Sequence, residues 1–141
     1  MRFNLWYPVA AVLVGMAVGL LAVAAQEPVV HEVKLLFDEQ GFRFEPAGIL
    51  IQPGDTVRFV SISGGPHTAT LYSGQGLAAG TAVRIPEGAP AVSSDLLFDG
   101  ATFDIVFDPA LFPQGTYDYF CLPHMVLGKG HHYCEIGRAH V

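Results

Sequence analysis

From residue 26 onward the apolar positions come in short runs, alternating or nearly continuous, and each run is cut by Gly, Pro or Asp. Helical periodicity is weak there, and short punctuated runs are the all-β pattern. Strands are predicted over Glu32–Phe37, Gly48–Ile51, Thr56–Ser61, His67–Tyr72, Thr102–Phe107 and Gly115–Cys121. Within Thr56–Ser61, period two puts Thr56, Arg58 and Val60 on one face and Val57, Phe59 and Ser61 on the other. Pro53-Gly54-Asp55 is a turn signal just before that strand. Ser73–Asp95 breaks the pattern, with four glycines and two prolines, and reads as a long loop with room for a short helix. Phe42, Phe44, Phe59, Phe103, Phe107, Tyr117 and Tyr119 are the expected core aromatics. About a hundred residues of short strands around one core predict a β-sandwich, and 141 residues in all suffice for one domain.

The two ends of the chain do not follow this pattern. Arg2 is the only charged residue before Glu27, and Val9–Ala25 is an almost unbroken run of Val, Ala, Leu and Gly that ends in small residues. A basic start, an apolar middle and a small-residue exit predict a signal peptide over 1–25, cleaved near Ala24–Gln26. The alternative is an uncleaved anchor, because the run is almost long enough to span a bilayer. Either way the remainder is exported. Without Arg2 the formal charge moves from −6 to −7, so the exported domain is acidic. That excludes the basic stripe a nucleic-acid binder needs. At the other end, residues 129–134 do not alternate as a closing strand should. Ile136-Gly137-Arg138-Ala139-His140-Val141 looks like a translated sequencing-adapter fragment. The expected division is a leader at 1–25, a domain at 26–135 and a non-native tail at 136–141.

Two cysteines, Cys121 and Cys134, would by default form one disulfide in an exported protein. The context of Cys121 argues for different chemistry. The predicted strand Gly115–Cys121 runs directly into Leu122-Pro123-His124, completing Cys-x-x-His. Period two turns Cys121 to the same side as Tyr117 and Tyr119, while Phe120 faces away. Upstream, Gly64-Gly65-Pro66-His67 places a second histidine at the start of a strand. One thiolate with two imidazoles is the equatorial donor set of a blue-copper site: soft sulfur suits Cu(I), and imidazole serves both oxidation states. A rival zinc set, Cys121, His124, His131 or His132, and Cys134, has the right residue types but leaves His67 unused. No Gly-x-Ser-x-Gly nucleophile motif occurs.

Two segments together resemble the plastocyanin and pseudoazurin branch of the cupredoxins. The first is Phe44-x-Pro46-x-x-Ile49-x-Ile51-x-Pro53-Gly54-Asp55-Thr56-Val57-x-Phe59-Val60, followed by His67. The second is Gly115-x-Tyr117-x-Tyr119-Phe120-Cys121-x-Pro123-His124. The resemblance implies an all-β Greek-key sandwich and one type 1 copper ion held by His67, Cys121 and His124. It places Thr68 near the sulfur as a hydrogen-bond donor and suggests Phe120 as a remote electron port. The implied function is one-electron carriage between redox proteins such as cytochromes or oxidoreductases, not catalysis, by a monomer in the periplasm or another extracytoplasmic space. A copper delivery or buffering protein is the alternative, and a metal-free structural relative is the third reading. Leu122, Pro123, Met125, Val126, Leu127 and Pro66 would then form an apolar rim around an exposed edge of His124. One position departs from the family. Lys129 stands where an axial methionine is usual, and a protonated ammonium has no lone pair to give a metal. The expected site is therefore three-coordinate or capped by a backbone oxygen, unless the tail has lost a native methionine.

Overall fold

A computed structural model describes residues 26–72, 83–127 and 136–141, with only the backbone of 125–127 and 136. The predicted leader, Lys129, His131, His132 and Cys134 lie outside the described residues, and with them the disulfide and the zinc set. Nine strands are described: β1 (Val30–Asp38), β2 (Gly41–Glu45), β3 (Gly48–Leu50), β4 (Thr56–Ser61), β5 (Thr70–Leu71), β6 (Val92–Ser93), β7 (Thr102–Val106), β8 (Thr116–Phe120) and β9 (Ile136–His140). One short helix, α1 (Leu122–Leu127), follows β8. They form two sheets, in the orders β2-β1-β4-β7 and β3-β9-β8-β5-β6. Each sheet mixes parallel and antiparallel neighbours: β1 runs parallel to β4, and β3 parallel to β9. Among the described residues no helix is long and apolar enough to cross a membrane.

The predicted alternation of β4 holds, with Val57, Phe59 and Ser61 buried and Arg58 exposed. Val33 and Leu35 of β1 and Ile105 of β7 join them on the inner face. Tyr117, Tyr119, Leu71 and Ala139 face them from the second sheet. Phe44, Phe59 and Tyr119 meet edge to face, with centroids 4.9–6.2 Å apart, and tie both sheets together. A second aromatic group, Phe107, Phe112 and Tyr117, closes the far end. Rings crossing at such angles set the positive edge of one against the negative face of the next.

The PGD turn is held by a buried carboxylate. Asp55 accepts the Val29 N–H at 2.8 Å, the Gln52 N–H at 2.9 Å and His31 Nε2 at 2.8 Å. It thereby fastens the start of β1 to the start of β4, and parallel pairing proceeds from there. Gly54, at φ 97°, supplies the left-handed residue this turn needs.

Residues 136–140, the adapter-like segment, occupy the slot between β3 and β8 as β9. Any short extended segment supplies the backbone hydrogen bonds of such a slot. The small residue Gly137 leaves room there for the Tyr119 ring. Arg138 Nε also reaches the buried Asp118 carboxylate at 2.6 Å, which Arg84 engages through its backbone N–H. Besides β9, the strands missed from the sequence are β2 and β6, which lie at sheet edges, and in the predicted Ser73–Asp95 loop the residues Val92–Ser93 pair with β5.

Candidate metal centre

Two loops at one end of the sandwich bring the predicted ligands together. After β4 the chain crosses Ile62–Pro66 and re-enters the sheet at His67, which bridges Leu97 through two backbone hydrogen bonds of 2.8 and 3.0 Å. Cys121 follows β8 directly, and α1 begins at the next residue. One helical turn returns residue i+3 to the same side, so His124 comes back over Cys121. The first N–H of α1 is capped: Leu122 N–H donates to Thr68 Oγ1 at 2.8 Å. Thr70 Oγ1 donates to the same oxygen at 3.0 Å, and Ser93 Oγ lies 2.8 Å from Thr70 Oγ1. The two ligand loops are thus joined by hydroxyls beneath the site.

One donor atom from each of His67, Cys121 and His124 lies within 4.8 Å of the other two, and all three residues are buried. His67 Nε2 sits 2.9 Å from the Ser63 carbonyl. A carbonyl only accepts, so Nε2 carries the proton and Nδ1 keeps its lone pair for the centre. Nδ1 lies 3.9 Å from Cys121 Sγ. With bonds of about 2.0 Å to nitrogen and 2.3 Å to sulfur, 120° apart, a trigonal first-row metal needs about 3.7 Å between these atoms. The spacing and the soft-sulfur, two-imidazole chemistry fit a type 1 copper site.

Thr68 N–H donates to Sγ at 3.3 Å, as the sequence suggested. Burial alone would push the Cys121 thiol up. The neighbouring His124 and His67 rings and the Thr68 N–H outweigh it and draw the thiol down to about 7. The environment therefore favours the thiolate, the form that binds metals.

Four features of the surroundings differ from the sequence reading. His124 has no broad exposed edge; it is 7% exposed. Its ring is stacked by Phe42, with centroids 3.7 Å apart and planes at 28°. The sequence pattern alone groups Phe42 with the core aromatics. The signal for its position was the Asp38-Glu39-Gln40-Gly41 turn followed by alternating Phe42 and Phe44, a hairpin arm that puts Phe42 at the metal end. Phe120 does face away from Cys121, but it is completely buried, edge-on to Tyr72 at 5.2 Å. It presents no surface of its own. Leu122 and Pro123 lie in α1 rather than a loop, and both are only partly exposed, as is Pro66.

The chain is similar to known copper proteins over most of its length. Residues 31–131 match the family model described as copper binding proteins, plastocyanin/azurin family. A Synechococcus plastocyanin is 29% identical over 130 residues, covering 89% of this chain and 90% of its own. A Scenedesmus fuscus plastocyanin is 33% identical over 100 residues, covering 68% and 89% respectively. A solved Sinorhizobium pseudoazurin superposes with a TM-score of 0.55 at 28% identity, over 80% of this chain and 73% of its own. With a two-sheet sandwich and a His-Cys-His cluster where the match runs, the chain belongs to the plastocyanin/azurin family of copper-binding proteins.

Proposed function

We propose that this protein is an exported carrier of single electrons, and that His67 Nδ1, Cys121 Sγ and His124 hold its one copper ion. The convergence of these three buried donors, fifty-four residues apart in sequence for His67 and Cys121, carries the reading. Bound copper would supply a one-electron Cu(II)/Cu(I) couple. The chain's own residues do the rest. Ser63 fixes the His67 tautomer and ring plane. Thr68 N–H places a hydrogen bond on the sulfur, and Phe42 holds the His124 ring face to face. Burial keeps water from the donors and allows little movement, so either oxidation state would meet nearly the same geometry. A carrier needs that, because rearrangement would add to the barrier of each transfer. Membership of the plastocyanin/azurin family supports reading it as a carrier and not as an enzyme. We take it to act as an extracytoplasmic monomer that meets redox proteins briefly, through a small interface.

Loading with Cu(II), followed by optical spectroscopy and voltammetry, tests this. An intense visible thiolate-to-copper band and a reversible one-electron wave are expected. Both should vanish in Cys121→Ser and His67→Ala. A colourless copper complex without a reversible wave would favour delivery or buffering instead, and failure to bind copper would leave only a structural role.

A further inference from the structure

We propose that electrons enter and leave through Phe37 and Phe42, on a surface that docks a redox protein whose apolar contact is rimmed by Lys and Arg. The inference rests on the carrier reading above. Its starting point is that His124 is buried and Phe42 lies flat against it, 3.7 Å between centroids. Phe42 in turn touches the ring of Phe37, 4.5 Å away, and Phe37 is 47% exposed. A continuous ring path therefore runs from solvent to the imidazole. The two phenyl rings provide contact and orbital overlap only. The partner gives up one electron and the copper couple accepts it; no bond breaks, no proton moves and neither ring is oxidised.

The exposed apolar residues near this path make a docking face. Phe37 packs against Gly64, and the Asp99 carboxylate lies against Gly65, so the two sides of the face flank the loop that carries His67. Ile62 leads into that loop, its N–H bonded to the Leu35 carbonyl at 2.8 Å. Phe98 sits in the turn closed by Ala101 N–H at 2.8 Å, and the Gly100 N–H of that turn donates to Ser61 at 2.7 Å. Ile62, Leu96 and Phe98 are 45%, 52% and 62% exposed.

Charge selects the partner. Glu39, in the turn after Phe37, and Asp95 and Asp99, which flank Leu97 opposite His67, are exposed, and among the described residues none is ion-paired. Among the described residues, the cation at this end, Arg43, is engaged by Asp38 and Glu45. An apolar centre with an acidic rim steers and accepts a surface of opposite rim. The competing exit is Tyr72, partly exposed and in contact with Phe120 beside Cys121.

Stopped-flow measurement on the full copper-loaded protein, with a basic c-type cytochrome as the probe, separates the two. Phe37→Ala should keep the visible band and midpoint potential of wild type yet slow electron transfer by about tenfold, the low end of the range among mutants of one interface. Phe37→Leu, which keeps apolar area but removes the ring, should fall between the two. The wild-type rate should drop as salt rises, and Glu39→Gln combined with Asp95→Asn and Asp99→Asn should flatten that dependence. A Phe37→Ala rate within about twofold of wild type would overturn the proposal, as would a salt-independent wild-type rate. Tyr72→Leu slowing transfer as much as Phe37→Ala would likewise overturn it, in favour of the Phe120 side. Failure of the carrier reading itself is seen separately, as a wild-type protein with no blue band or reversible wave.

Discussion

Replacing Asp55 with alanine removes a carboxylate that receives three hydrogen bonds, from Val29 N–H, Gln52 N–H and His31 Nε2, at 2.8–2.9 Å. A hydrogen bond to a charged group contributes about 1.5–3 kcal/mol. The three share one acceptor, so they do not add independently. Val29 and Gln52 are themselves exposed, and their amides can recover water once the carboxylate is gone. The expected net loss is therefore about 3 kcal/mol, a substantial part of the 5–15 kcal/mol typical of domains, roughly speaking. In a urea titration, with a slope of about 1–3 kcal/mol per molar, the midpoint should fall by about 1–3 M. The copper band should survive. Asp55 precedes one end of the six-residue β4 and the His67 loop leaves the other, so about 20 Å of strand separates them.

The charge of Asp55 adds a pH signature. Burial would push this carboxyl up, but the N–H groups of Gln52 and Val29 and then His31 prevail, and its pKa is lowered on folding. A lowered carboxyl pKa stabilises the fold above the unfolded value of about 3.9, and that contribution disappears as pH falls through the folded value. Asp55→Asn should therefore be less stable than wild type at neutral pH and approach it in acid. Parallel stability–pH curves for the two proteins, or a loss below about 1 kcal/mol in Asp55→Ala, would refute the reasoning.

The other predictions concern the core and the site. Phe59→Ala opens a hole beside Phe44 and Tyr119 and should cost about 3–5 kcal/mol in chemical unfolding. Gly64→Ala forces a side chain onto φ 78° and into the Cβ of Phe37. It should cost more than about 1 kcal/mol and shift or weaken the visible band, because the loop bearing His67 must move. Thr70→Val removes the hydroxyl that donates to Thr68 Oγ1. It should move the midpoint potential through the Thr68–sulfur hydrogen bond while leaving copper stoichiometry at one, and Thr70→Ser should restore the wild-type value.

The strands easiest to read were those with one face to the core and one to water. Thr56–Ser61 matches β4 end to end, and Val57 and Phe59 point inward as alternation requires. The predicted strand at His67–Tyr72 shrinks to Thr70–Leu71 plus a lone bridge at His67. Here the chain is already turning its side chains toward the metal end. β8 is buried on both sides, including Asp118 and Phe120, and alternation says nothing about what covers its second face. The helix at 122–127 left little trace, since its six residues contain one proline and no polar face apart from His124.

Local sequence carried the sheet-forming pattern and the donor types. Alternation and turn residues are local, and a cysteine closing a strand three residues before a histidine carries its chemistry in its own atoms. It also marked His67, through resemblance rather than spacing. The assembled fold settled which nitrogen of His67 faces the sulfur, because that choice belongs to the Ser63 carbonyl. It alone covered His124 with Phe42 and buried Phe120. Contacts across sheets depend on how two twisted layers stack, and no local periodicity encodes that.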